Sequence, residues 1–456
     1  MKKLIIVTLS LWLASRVAAQ EVGGITLSLD SCRTLAMNNN KELRISHSEQ
    51  RAAYFERKAA FTKYLPRVSA SGAYMHTSRE LSLLSGEQKE TLGHLEEMGQ
   101  SLIDALHTDT RNAGGLGVML TQPLYMGGKI AAYNRITRYA EQVAVMQHDL
   151  TLQEVIVEVD EAYWQIVALQ SKKRLAESYL ELVRKLDDDV QKMIEEGVAT
   201  KADGLSVKVK VNEAQVALIQ VDNGLSLSRM LLCQLCGLEL NSPVLLADEQ
   251  EGSAEEDLLP LPSSDIHQAF ALRPELNMLS LSASIYKEKV RITRSEFLPT
   301  MALTGGYMAT NPSVFNSFER RMKGMWSVGV LVNVPLITFG ERFHKVNAAK
   351  AEATMARYRL DETREKVELQ VNQNRQKVEE AGQRLQTARR SCDEADENLR
   401  YANLGLREGV IPLSNVLEAQ TAWLKSHSQL VTARIDLRLA NLYLLKSTGE
   451  LSHQIH

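Results

Sequence analysis

Beyond its first residues, the 456-residue chain holds no apolar run of the ~18 residues that a spanning helix needs. If it lies in a membrane it must cross as β-strands, since only helices and closed barrels satisfy their backbone groups in lipid. Aromatic residues make up only 5%, little for an enzyme with a thick core. Neither sign of charge dominates. A net charge of −3 leaves no basic footprint, so nucleic acid is not an expected partner. There are four cysteines. Cys233 and Cys236 form a CxxC, but no second CxxC and no histidine at ligand spacing accompanies it, so neither a metal nor a redox role is expected. In this apolar stretch they read as small buried hydrophobes, as does Cys392 at a heptad position. The ten histidines and the methionines are scattered. No nucleophile elbow, P-loop or metal-ligand pair is visible, so neither enzymatic activity nor a cofactor or metal is expected.

What the chain does contain is abundant Ala, Leu, Glu, Gln, Lys and Arg, which favour long helices. Residues 1–19 read as a secretory signal: Lys2 and Lys3, an apolar centre from Leu4 to Ala14, then the small-residue pattern of Val17 and Ala19. Cleavage would leave Gln20 first. Cys32 lies too far in to carry a lipid anchor.

A strand-to-helix junction stands out at Trp326–Ala349. Trp326, Val328, Val330, Val332 and Val334 alternate with Ser327, Gly329, Leu331 and Asn333. Pro335 then breaks the ladder, having no N–H to give, and Gly340 ends the turn. The junction recurs earlier: Gly117, Val118, Pro123, Leu124 and Gly128 match Gly329, Val330, Pro335, Leu336 and Gly340 at a constant offset of 212. Nearer the amino terminus the offset is 233, from Leu65-Pro66 against Leu298-Pro299 to Thr77 against Thr310. The chain is internally duplicated, with a first repeat over 20–240, a linker over 241–264 and a second repeat over 265–456. The first repeat carries a longer, outward-facing loop at 78–114.

Each repeat has the same expected order. A helix (Ser31–Lys63; Asp265–Glu296) ends before a Leu-Pro pair. A strand follows (Arg67–Thr77; Thr300–Thr310), then a second (Gly115–Tyr125; Trp326–Val334). A very long helix comes next (Lys129–Glu196; Glu341–Glu408), then a tip, then a return helix (Asp203–Cys236; Asn415–Ser447). Strands of about ten residues suit a membrane barrel, with Tyr74, Tyr307 and Trp326 as an interfacial girdle. Four strands cannot close a barrel, which needs at least ~8, and an open edge in lipid is not viable. The chain must oligomerise, giving eight strands from a dimer or twelve from a trimer.

The second long helix keeps a heptad seam of Val371, Val378, Leu385, Cys392, Leu399 and Leu406, with Ala381, Ala388, Ala395 and Ala402 beside it. The first keeps Val159, Ile166, Leu180 and Ile194, interrupted at Lys173 and Asp187. A helical barrel continuing the β-barrel fits both the seams and the signal.

The tips centre on Gly197-Val198 and Gly409-Val410, where glycine supplies the helix-ending geometry, with Pro412 opening the return helix. Asp203, Asn415 and Glu418 follow. Asp203 and Asn415 also fit helix N-capping, and Glu418 an exposed carboxylate; under rotational symmetry Glu418 would instead form an acidic ring favouring cations.

Together, Gln122-Pro123-Leu124 with Gly127-Gly128, Val334-Pro335-Leu336 with Gly340, Asp203-Gly204-Leu205, Asn415–Gln420 and Ala271–Leu276 resemble the TolC-like outer-membrane efflux protein family. The resemblance implies a mainly α fold with transmembrane β: a homotrimer whose four strands per protomer build a twelve-stranded outer-membrane β-barrel, continuous with a long periplasmic α-barrel. It implies passive export in a Gram-negative bacterium, through a periplasmic adaptor and an inner-membrane pump of RND, ABC or MFS type. The linker would lie at the equator of the helical barrel. Asn415 and Glu418 match positions where the family commonly places aspartates, making Glu418, Asn415 and Asp203 the gate candidates. Gly197, Val198, Gly409 and Val410 are the adaptor-docking candidates, and Pro123, Gly128, Pro335 and Gly340 the barrel-to-helix junctions. Two alternatives are a periplasm-spanning coiled-coil or adhesin without transport, and the same channel dedicated to type I protein secretion.

Overall fold

The structure, a computed structural model, describes residues 25–78, 85–94, 103, 111–249, 266–315 and 321–453. The expected signal segment, most of the long loop and most of the inter-repeat linker lie outside the described residues. The chain divides into two units, each discontinuous in sequence: residues 1–50, 144–278 and 360–456 in one, residues 51–143 and 279–359 in the other.

The second unit carries an antiparallel sheet of four strands, β2 (Arg67–His76), β3 (Asn112–Met126), β5 (Thr300–Asn311) and β6 (Lys323–Asn333), in the order β2-β3-β5-β6. Each repeat supplies one hairpin, and β3 meets β5 to join them. The strands begin and end within three residues of their expected bounds. The register aligns Ala70, Val118, Tyr307 and Trp326 in one row across the sheet, and Val68, Leu120, Gly305 and Val328 in the next.

The rest of the described chain is mainly helical, and the helices at 41–61, 129–195, 274–295 and 341–407 each have residues in both units. The segment expected as one helix in each repeat is two. In the first repeat α1 (Leu29–Asn39) and α2 (Lys41–Phe61) are separated at Asn40; in the second, α6 (Ile266–Leu272) and α7 (Pro274–Ser295) are separated at Arg273. Both break residues are buried and tethered: Asn40 Nδ2 donates to the Leu235 carbonyl at 3.0 Å, and Arg273 donates to Gln370 Oε1 at 2.9 Å. The long helices α4 (Lys129–Glu195) and α8 (Glu341–Arg407) have 67 residues each, or ~100 Å apiece at the usual rise. The return helices are α5 (Lys201–Leu235) and α9 (Leu413–Thr448). Most of the expected heptad residues are buried, with Val371, Val378, Leu385, Cys392 and Leu399 on α8 and Val159, Ile166 and Leu180 on α4 all under 10% exposed, while Leu406 and Ile194 are half-buried. Lys173, which interrupts the α4 seam, pairs with Asp222 at 2.6 Å.

The duplication extends to single contacts. Gly237 closes α5 against Asn39, and Gly449 closes α9 against Leu272. These are equivalent positions in the two repeats, at offsets of 212 and 233 respectively. Both glycines have positive φ, +69° and +79°, and an added Cβ would stand 2.5 and 2.8 Å from the neighbouring side chain.

The start of the segment expected as linker is structured: β4 (Val244–Leu246) pairs in parallel with β1 (Ile25–Leu27). Arg229 donates to buried Glu249 at 2.8 Å, and Tyr163 bonds Asp248. In the same core the buried Asp160 accepts two bonds from Arg33, at 2.8 and 2.5 Å. Burial raises the Asp160 carboxyl above its ordinary range even so.

Candidate functional site

The functional candidates fall on the two faces of the sheet, at the strand-to-helix junctions and at the helix tips. Residues paired across an antiparallel sheet share a face, so the register sorts the side chains. One face carries Val68, Leu116, Val118, Leu120, Leu303 and Val328, continued by Val330 and Val332. Tyr74, Tyr307 and Trp326 stand towards its loop end and Tyr125 towards the other. The opposite face carries Ser69, Ser71, Gly117, Thr121, Thr304, Gly306, Ser327 and Asn333, with Met75, Met119, Met308 and Met325 among them. The apolar face is open: Tyr74 is 73% exposed, Trp326 75% and Val328 69%. The edge strands β2 and β6 are exposed along their whole length.

The two junctions differ. Pro335 lies beyond the end of β6, as expected of a ladder-breaker, and Phe339 (φ +41°) and Gly340 (φ +86°) make the turn into α8. Pro123 does not end its strand. β3 runs on to Met126 through a register shift between Pro123 and Tyr125, the bulge accommodating a residue without an N–H. Its turn is made by Gly127 and Gly128, at φ +60° and +83°. Gly127 is also sterically required, since its Cβ would stand 2.9 Å from the Ser295 carbonyl.

The tips end alike. Gly197 N–H donates to Ile194 O and Val198 N–H to Met193 O; Gly409 N–H donates to Leu406 O and Val410 N–H to Gly405 O. This is the Schellman pattern, with its left-handed residue at φ +78° and +70°. Val198 and Val410 are 69% and 79% exposed.

The residues after the tips do different work. Thr200, not Asp203, is the N-cap of α5; Asp203 is the third helical residue and returns a bond to the Thr200 N–H at 2.9 Å, completing a capping box. The hydroxyl and N–H of Thr200 hold the Asp203 carboxyl below its ordinary range. Nor does Asn415 cap α9: Pro412 occupies the N-cap, with no side-chain bond there, and Asn415 is exposed. Pro412 thus stands one position before the first helical residue where it was expected. Glu418 is exposed, in a shallow groove with Lys210, Leu417, Thr421, Ala422 and Lys425. Lys210 is paired with Glu213 at 2.8 Å.

Among the described residues no helix is long and apolar enough to cross a membrane, and no group of three or more metal-ligating side chains converges. The family model for outer membrane efflux proteins matches residues 33–238 and again 266–450. The chain belongs to the outer membrane efflux protein family. The two matches coincide with the two halves of the duplication. Among curated relatives, the outer membrane efflux protein BepC of Brucella suis biovar 1 is 24% identical over 355 residues, covering 76% of this chain and 74% of BepC. The outer membrane protein TolC of Vibrio cholerae is 23% identical over 351 residues, covering 74% and 77%. The crystal structure of the outer membrane protein VceC from Vibrio cholerae superimposes with a TM-score of 0.74 at 15% identity, over 92% of this chain and 96% of VceC. Its place is the outer membrane of a Gram-negative bacterium, with the helical part in the periplasm. Its relatives are channel proteins rather than enzymes.

Proposed function

We propose that this outer membrane efflux protein is the exit duct of a tripartite pump, assembled from three copies. The observation that carries the reading is the sheet. Four strands with an apolar outer face end in two fully exposed edges, β2 and β6, and unpaired edges are not viable in lipid. Joining β6 of one copy to β2 of the next gives a closed barrel of twelve strands from a trimer. The valine face then meets lipid, and the face of Ser327, Gly329 and Asn333 lines the lumen.

The helices support the same assembly. α5 buries Gly204, Val207, Ala214, Leu225 and Leu232 within its own chain. It also exposes Leu205, Val209, Val216, Ile219 and Leu227 at 54% or more. A helix apolar on two sides is built to be covered on both, and a neighbouring copy supplies the second cover.

At the tips, Val198 and Val410 form the surface for a periplasmic adaptor, through which an inner-membrane pump of RND, ABC or MFS type delivers cargo. Glu418 lines the constriction. Purified protein in planar bilayers is the test: discrete ion-conducting steps are expected, and a protein that inserts without conducting would refute the duct.

A further inference from the structure

The duct uses none of the cysteines, yet three of them meet. Cys32, Cys233 and Cys236 are at most 1% exposed and share one core. Cys32 lies in the first turn of α1, and Cys236 is the C-cap residue of α5, just before Gly237. The Cys236 thiol donates to the Cys32 carbonyl at 3.6 Å, with both cysteines unbridged in the structure. Two anchors fix this approach: Gly237 packs on Asn39, and Asn40 holds the Leu235 carbonyl. Cys233 points elsewhere, its thiol 3.9 Å from the Ser242 carbonyl. The sulfurs are not what the packing needs. The second repeat makes the equivalent glycine contact, Gly449 on Leu272, with Thr448 in place of Cys236.

We propose that Cys32 and Cys236 are joined by a disulfide in the mature protein, clasping its first helix to the end of the first return helix. The periplasm is a compartment in which disulfides form and persist. The co-reactant is a protein disulfide donor of the thiol–disulfide oxidoreductase class. One cysteine, as thiolate, attacks the donor's disulfide and displaces one donor sulfur as a thiol. The second cysteine then attacks the first across the mixed disulfide and releases the donor's other sulfur. Two thiols of the chain lose two protons and two electrons, and the donor's disulfide becomes a dithiol. Both sulfurs are sealed from solvent once the core forms, so the exchange precedes closure of α1 onto α5.

The test is a thiol count on protein from isolated outer membranes, acid-quenched, denatured and treated with polyethylene-glycol maleimide. Wild-type protein is expected to take two labels without reductant and four with it. Cys32→Ser and Cys236→Ser should each take three under both conditions. Cys233→Ser should take one without reductant and three with it. Peptide mass mapping of the wild type, which does not depend on any variant folding, should link the tryptic peptide ending at Arg33 to the one starting at Met230. Four labels on unreduced wild type would overturn the clasp. So would a blocked pair that survives Cys236→Ser, or that disappears in Cys233→Ser.

Discussion

At Gly237 two demands coincide: a left-handed backbone at φ +69° and a side-chain-free approach to Asn39, whose backbone oxygen would lie 2.9 Å from an added Cβ. Left-handed backbone costs a residue with a Cβ about 1–2 kcal/mol, and overpacking typically adds about 1–3 kcal/mol. Gly237→Ala is therefore expected to destabilise by roughly 2–5 kcal/mol in thermal unfolding. Gly197 has the same left-handed backbone but open space around it, so Gly197→Ala should cost only the backbone part. Equal costs would show that the Asn39 contact is not tight. The capping box carries a pH signature. Asp203 has its carboxyl lowered by Thr200, so its contribution is fully present above the unfolded carboxylate pKa of about 3.9 and is lost as pH falls through the lower folded value. Asp203→Ala should cost roughly 0.3–1 kcal/mol at neutral pH, as for an exposed first-turn carboxylate, and the gap to wild type should close only below about pH 4. A gap unchanged down to pH 2 would remove the carboxylate from the cap.

Between elements, the two faces of β6 make opposite predictions. Val330 lies on the apolar face and Ser327 on the polar one. A lysine facing lipid near the bilayer midplane costs about 2–4 kcal/mol, while a lumen lysine is tolerated and alters selectivity. Val330→Lys should reduce assembled protein in the outer membrane, and Ser327→Lys should assemble normally. The reverse ranking would exchange lipid and lumen. These strands were legible in sequence because Leu-Pro pairs, the Pro–Gly junctions and a two-fold repeat punctuate them twice over. The helix break at Asn40 was not, because asparagine is no helix breaker by type and its partner lies far along the chain; the break at Arg273 was written in Pro274, which opens α7, and was overlooked. The β1–β4 pair was equally hidden: two three-residue strands more than 200 residues apart leave no periodicity. The strand through Pro123 was expected to reach Tyr125 and ends at Met126, but the bulge that lets it pass the proline is not announced by local sequence. The cap of α5 was placed three residues late because Thr200 and Asp203 bond reciprocally, and only the backbone shows which of them is outside the helix.

For the whole molecule, the proposed duct makes charge at the tips the variable to test. Glu418 is exposed, with Lys210 and Lys425 in the same groove, and in the proposed trimer it repeats around the constriction. Glu418→Ala is expected to lower cation preference in planar bilayers, read as a shift in reversal potential across a salt gradient; unchanged selectivity would take Glu418 out of the constriction. Everything in the duct reading depends on the exposed edges of β2 and β6 finding partners, and the proposed barrel of twelve strands takes three copies of this four-stranded sheet. Native mass spectrometry of the protein released from detergent micelles counts them directly. Three chains per particle is the predicted result. A particle of one chain, or of two, would contradict the account.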